Sequence, residues 1–180
     1  MLKYNFCLVR QKNRILLLNR EKSPWMGCWN GVGGKLEKNE TPRNSIIREL
    51  AEETGIEKYE LKFRGIMTWT VDNVFIGGMY VYTATVDDTY VYKTPLITEE
   101  GILDWKDIEW IKHPENLGIV ENVSLMLDKT LHEESCYRHH VTYIKDDLVD
   151  FQSIKINAEL ENMIFQKDDC VENILCDFAI

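Results

Sequence analysis

Hydropathy along the chain runs in short apolar blocks separated by turn formers, and the period of each block predicts its element. Leu2–Arg10 (LKYNFCLVR) is rich in strand formers with some alternation, and Arg14–Arg20 (RILLLNR) is a second apolar run. The QKN between them suits a tight turn, so the pair predicts a β-hairpin. EKSPWMGCWNGVGGK follows as a loop punctuated by Pro24 and glycines. The period then changes to helical. Thr41 is placed to cap, Pro42 to occupy the first helical position, and Gly55 to end the helix just past Thr54. Ile46, Ile47, Leu50 and Ala51 form an apolar stripe expected to pack on a sheet. Glu49, Glu52 and Glu53 fall on an adjoining stripe, facing away from that core.

Leu61–Val71 and Val74–Val86 predict two long strands joined at Asp72–Asn73, a favoured two-residue turn. Tyr90–Asp107 is expected to be a long loop and Ile108–Ile111 a short strand. Val120–Glu134 has helical spacing at Val120, Val123, Leu127 and Leu131. His139–Ile156 predicts a final hairpin turning at Lys145–Asp147. Val171, Ile174, Leu175 and Phe178 are spaced for one or two last amphipathic turns. Strands on both sides of a central helix, then a second helix, predict an α+β fold: a mixed β-sheet sandwiched between α-helices.

One feature of the central helix does not follow from helix physics. Glu49, Glu52 and Glu53 stand at i, i+3 and i+4 on one face, where like charges repel. They also lie towards the C-terminal end, where the macrodipole disfavours anions. A compensating positive group is therefore expected.

Composition narrows the classes. The 180 residues suit one ordinary domain, and an apolar fraction of 44% supplies a core. No apolar run is long enough to span a membrane, and no secretory h-region opens the chain. Cys7, Cys28, Cys136, Cys170 and Cys176 form no CxxC pair and no zinc spacing, so they read as reduced thiols in a cytoplasm. A net charge of −9 argues against binding a nucleic-acid polymer. The charge is uneven, with a cationic excess before residue 65 and a strongly acidic remainder. The half that holds the glutamate cluster thus also holds cations suited to an anionic ligand. A solvated, solubilising acidic surface is the plainer reading of the remainder.

Gly34, Glu40 and the run RELAEETGI match G-x5-E-x7-R-E-U-x-E-E-x-G-U, where U is a bulky aliphatic residue. Gly34, Glu40, Arg48, Glu49, Leu50, Glu52, Glu53, Gly55 and Ile56 fill every fixed position. This is the signature of the Nudix hydrolases, and the chain resembles that family. WNGVGGKLE and the late YRHHVTYIKDDLVDFQSI further resemble the MutT-type oxidised-purine nucleoside triphosphatases. The likeness extends over residues 1–157 and implies the Nudix fold there. Residues 158–180 form an acidic extension of unassigned role.

The resemblance implies a Mg²⁺-dependent enzyme, with Mn²⁺ as an alternative. Hard cations relieve the repulsion around a diphosphate and activate water, and they prefer oxygen ligands. Glu49, Glu52 and Glu53 are then metal ligands, with Glu49 or Glu53 also the base, and the Gly33 carbonyl a further ligand. Arg48 and Glu40 are expected to pair and hold the loop to the helix. Glu100 is the candidate fourth carboxylate, with Glu99 as substitute. Asn30, in WNG, matches a purine-edge reader, and its amide can donate and accept in one plane; a turn role before Gly31 competes. Asn122, beside Glu121, is a second edge reader or a helix-surface residue. Trp25 or Trp29 is a candidate for stacking on a base, against ordinary packing. Arg20 and Lys35 are candidates for meeting phosphates.

The implied reaction is pyrophosphohydrolysis of a nucleoside triphosphate, with 8-oxo-dGTP as substrate and nucleotide-pool sanitation as role, by a monomer or homodimer. A Nudix hydrolase of a dinucleoside polyphosphate, nucleotide sugar or ADP-ribose is the alternative. A non-catalytic nucleotide-binding regulator is a third, disfavoured by the intact carboxylates.

Overall fold

The computed structural model describes residues 2–162. Strands β1 (Leu2–Gln11) and β2 (Arg14–Arg20) form the first hairpin, and β3 (Trp29–Asn30) pairs with β2. Helix α1 (Pro42–Thr54) is followed by the hairpin β4 (Glu60–Val71) and β5 (Val74–Thr85). Then come β6 (Leu96–Ile97), β7 (Gly101–Asp107), α2 (Ile108–Ile111) and α3 (Glu121–His132). β8 (Cys136–Ile144) and β9 (Asp147–Ile156) make the last hairpin, and Ala158–Asn162 adds a short 3-10 helix. No helix among the described residues is long and apolar enough to cross a membrane.

The strands form one mixed sheet in the order β6-β7-β2-β1-β5-β4-β8-β9. β1 runs parallel to β5 and β4 parallel to β8, while the hairpin pairs are antiparallel. Each face carries a core. Cys7, Val9, Leu16 and Leu18 point to one face with Ile46 and Leu50 of α1. Phe6, Leu8, Ile15 and Leu17 point to the other with Val123, Met126 and Leu127 of α3. Burial on both faces explains why β1 and β2 are nearly continuous apolar runs rather than strict alternations. The expected mixed sheet between helices is therefore present.

Local signals acted as expected in several places. Thr41 Oγ1 accepts the Asn44 N–H, and Gly55 ends α1 with φ 67°. Asp72 and Asn73, at φ 49° and 65°, make the β4–β5 turn.

Three expectations are corrected. Tyr90–Asp107 is not all loop. Thr98–Glu100 turns β6 into β7, and β7 pairs with β2 along its whole length. Pro95 and Gly101 break the pattern into pieces too short to read, and the hydrogen bonds come from a distant strand. Ile108–Ile111 is one helical turn, burying Ile108 and Ile111 while Trp110 is exposed. Four apolar residues cannot distinguish the two periods. The buried face of α1 comprises Pro42, Ser45, Ile46, Leu50 and Thr54, while Ile47 and Ala51 are exposed. That rotation brings Glu49 and Glu53 against the protein instead of away from it.

Past β9, Leu160 is fully buried against the α1 side of the sheet, and Arg43 pairs with Glu161 at 2.8 Å. The expected amphipathic turns at Val171, Ile174, Leu175 and Phe178 lie outside the described residues.

Candidate active site

The loop from β2 to α1 folds back over the end of β1. Cys7 pairs with Val32, and Asn5 N–H donates to the Gly34 carbonyl at 2.9 Å. A Cβ on Gly33, at φ 136°, would stand 2.6 Å from the Asn5 carbonyl oxygen. One on Gly34 would collide with the Glu49 carboxylate. Position 33 therefore needs glycine, because backbone occupies the space of a side chain, whereas a side chain at position 34 would push the Glu49 carboxylate aside.

Arg48 supplies the positive charge that the glutamate face required. Its Nε and Nη2 donate to the two oxygens of Glu40 at 3.0 and 2.9 Å, a bidentate pair. Its Nη1 donates to Glu49 at 2.9 Å and to Glu52 at 3.0 Å. Hydrogen bonding to Arg48 holds the Glu40 carboxyl down at about 2. Burial raises the Glu49 carboxyl, and Arg48 opposes that rise.

Glu53 differs. Its Oε2 accepts the Gly33 N–H at 2.9 Å, and no ion pair to it is found among the described residues. Burial pushes its carboxyl up to about 7 against that hydrogen bond, with the charges of Glu49 and Glu100 adding to the rise and Arg20 opposing it. Glu100 reaches this region from the β6–β7 turn, where Lys22 Nζ lies 3.3 Å from its Oε1.

These groups line a cleft of about 1290 Å³ at one end of the sheet. Glu49, Glu52, Glu53, Glu99, Glu100 and Gly33 form its acidic side, with Arg20 and Lys35 nearby on its wall. Arg20 is held by its Nε to the Pro24 carbonyl at 2.9 Å. The other side has an apolar floor of Phe6, Met79, Trp69, Val141 and Tyr143, flanked by Asn30 and Asn122. Asn30 Oδ1 accepts the Gly31 N–H at 3.0 Å, so its turn role is real, and its amide nitrogen remains for a ligand. Trp25, half-exposed at φ 65°, is also on the cleft wall.

Trp29 is not on that wall. Its backbone pairs with Gly118 and Val120, and Lys106 Nζ sits 4.0 Å from its ring centre. Arg48 and Glu40 stand behind the wall as its support. The cleft also uses residues that motif reading passed over: Asn5, Trp69, Tyr143, Lys145 and Asp146. Asn5 alone carried a signal, as a polar residue inside an apolar strand.

Among the described residues, no three His, Cys, Asp or Glu side chains converge as a closed ion cage. The donors nonetheless fit a hard divalent cation. They are all oxygens, they face one cleft, and Glu53 forms no ion pair among the described residues. An open set of this kind suits Mg²⁺, which keeps waters and shares substrate phosphate.

The NUDIX domain family model matches residues 4–124. The chain belongs to the Nudix family. It is a Nudix hydrolase, and Gly33, Glu49, Glu52, Glu53, Glu100, Asn30 and Asn122 fall inside the matched span, whereas Val141, Tyr143, Lys145 and Asp146 of the cleft lie beyond it. The Nudix hydrolase YvcI of Bacillus subtilis is 30% identical over 138 residues, covering 76% of this chain and 84% of that one. The mouse oxidized purine nucleoside triphosphate hydrolase is 32% identical over 111 residues, covering 60% of this chain and 67% of its own. A MutT protein structure from Bacillus halodurans has a TM-score of 0.67 at 22% identity, covering 85% of this chain and 97% of that one. At that identity the structural likeness speaks for the fold.

Proposed function

We propose that this Nudix hydrolase is a Mg²⁺-dependent nucleoside triphosphate pyrophosphohydrolase acting on an oxidised purine nucleotide such as 8-oxo-dGTP. Mn²⁺ is a workable substitute. The observation that carries the reading is the two-sided cleft: clustered carboxylates at one end, an apolar floor with two amides at the other. The similarity to the mouse oxidized purine hydrolase supports the base assignment.

Glu49, Glu52 and Glu53, with Glu100 and the Gly33 carbonyl, would hold the metal. When bound, the metal supplies charge neutralisation at the phosphates and lowers the pKa of an attacking water. Glu53 is the favoured base. Glu49 is engaged by Arg48, whereas Glu53 accepts the Gly33 N–H through one oxygen and forms no ion pair among the described residues. Arg20 and Lys35 would bind phosphate oxygens. Water adds to one phosphorus, the phosphoanhydride oxygen leaves, and the products are a nucleoside monophosphate and pyrophosphate. Asn30 and Asn122 would read the purine edge, with Trp25 beside the base.

A cleft of about 1290 Å³ exceeds the usual range for one small ligand, which favours a two-part nucleotide as the second reading. The test is turnover of 8-oxo-dGTP, dGTP, ATP, a dinucleoside polyphosphate and ADP-ribose, with and without Mg²⁺. Pyrophosphate is followed for the triphosphates, and monophosphate products are followed for the others. Preference for 8-oxo-dGTP over dGTP is expected. Metal-dependent turnover of ADP-ribose or the dinucleotide instead would replace the base assignment and keep the metal site.

A further inference from the structure

Asn5 sits on β1, only 4% exposed, and both ends of its side-chain amide are used. Its Oδ1 accepts the Gly34 N–H at 3.0 Å, and its Nδ2 donates to Ser45 Oγ at 2.6 Å. A backbone N–H can only donate, so the amide orientation is fixed without ambiguity. The Asn5 backbone N–H also donates to the Gly34 carbonyl, clamping that residue on both sides. Ser45 continues the connection. It accepts from Arg48 Nη2 at 3.3 Å and hydrogen-bonds Glu40. One buried amide thus ties the diglycine backbone to the helix that carries the glutamates.

The geometry around the two glycines makes that tie consequential. Gly33 N–H is bonded to Glu53, and Gly34 is pressed against the Glu49 carboxylate. Asn5 bounds the same backbone on its other side. Sliding the loop along β1 would move the Gly33 N–H that Glu53 accepts and the Gly34 backbone that packs against the Glu49 carboxylate. A Leu or Val at this strand position would satisfy the core but deprive the part-buried Gly34 N–H of its acceptor.

We infer that Asn5 is a positioning residue for hydrolysis. Through Gly34 and Ser45 it sets the spacing between the diglycine backbone and the Glu49 and Glu53 carboxylates. This rests on the proposed reading of Glu49 and Glu53 as the working carboxylates. It does not depend on which base the enzyme prefers, because Asn5 acts at the phosphate end.

The test compares Asn5→Ala and Ser45→Ala with the full-length wild-type chain. Asn5→Ala should lower kcat about 10- to 100-fold while KM stays within about threefold, since small misplacement of reacting groups weakens turnover at unchanged binding. Ser45→Ala keeps the Gly34 bond and should show a smaller drop in kcat. Amide exchange by NMR in the metal-free protein gives an independent readout. Gly33 and Gly34 should exchange at least about tenfold faster in Asn5→Ala, with the β4–β5 amides unchanged. A raised KM at unchanged kcat would mean that Asn5 touches substrate, overturning the inference. So would unchanged kcat with unchanged exchange. If Asn5→Ala does not fold, Ser45→Ala decides by kcat: a fall at unchanged KM supports the inference, and an unchanged kcat overturns it. If the wild type turns over no nucleotide in the panel, the proposed function fails, and the exchange rates alone decide whether Asn5 holds the loop.

Discussion

The two ends of the cleft, the proposed phosphate end and the proposed base end, are built by opposite strategies. At the phosphate end polar groups are tied to one another: Arg48 spans Glu40, Glu49 and Glu52, Gly33 caps one oxygen of Glu53, and Asn5 grips Gly34. At the base end the floor is apolar, and the polar groups are fewer, with the Asn30 amide only half used. The acidic end is preorganised for chemistry that tolerates little displacement. The other end is shaped by side-chain volume and can be altered without disturbing the carboxylates. A family that keeps one reaction and varies its substrate is well served by this division.

The largest expected effect comes from Glu53→Gln, which removes the proposed base while keeping an acceptor for Gly33. Turnover should fall about 10²- to 10⁴-fold. The metal-free protein should at the same time become more stable at pH 8. The Glu53 carboxyl lies near 7 in the folded chain, above its usual value in an unfolded one. The folded state therefore holds the extra proton, and wild-type stability is lost as pH rises from about 4.5 through 7. Glu53→Gln escapes that loss, so its advantage, on the order of 1–3 kcal/mol, should appear at pH 8 and vanish near pH 4.5. Thermal melts in a chelator at both pH values check this. Equal stability at pH 8 would show that the Glu53 site is not strained when charged.

A smaller effect is expected at the base end. Asn122→Ala should reduce discrimination between 8-oxo-dGTP and dGTP by about 10-fold, the value of one buried hydrogen bond, with kcat on the better substrate little changed. A fall in kcat without a change in discrimination would break the division between the two ends. Smallest of all is Trp29→Phe. Trp29 lies off the cleft and under Lys106, so its replacement should leave kcat and KM unchanged and cost about 0.5–1 kcal/mol of stability. A raised KM would return Trp29 to the substrate.

The same contrast governs what could be read from the chain. The phosphate end is compressed into residues 33–56, where helix spacing fixes which carboxylates share a face and caps fix where the helix starts and stops. Short-range geometry was enough to put Glu49, Glu52 and Glu53 on one face, and the signature motif added Arg48 and Glu40. The base end draws on β1, β4, β5, α3 and β8, and no local period connects Phe6 with Trp69 or Asn122 with Tyr143. Trp25 and Trp29 looked alike in sequence and were separated only by their surroundings.

By itself the sequence determined the hairpins, the capped helix, the carboxylate cluster and the need for a cation beside it, because each follows from bonds and charges a few residues apart. Tertiary structure alone decided three further things. It rotated α1 so that Ile47 is exposed and Glu49 and Glu53 turn inward, it made β7 a partner of β2, and it gave Asn5 two hydrogen bonds across 29 and 40 residues of chain. Those outcomes rest on which surfaces exclude water from one another, and that is settled only when distant segments meet.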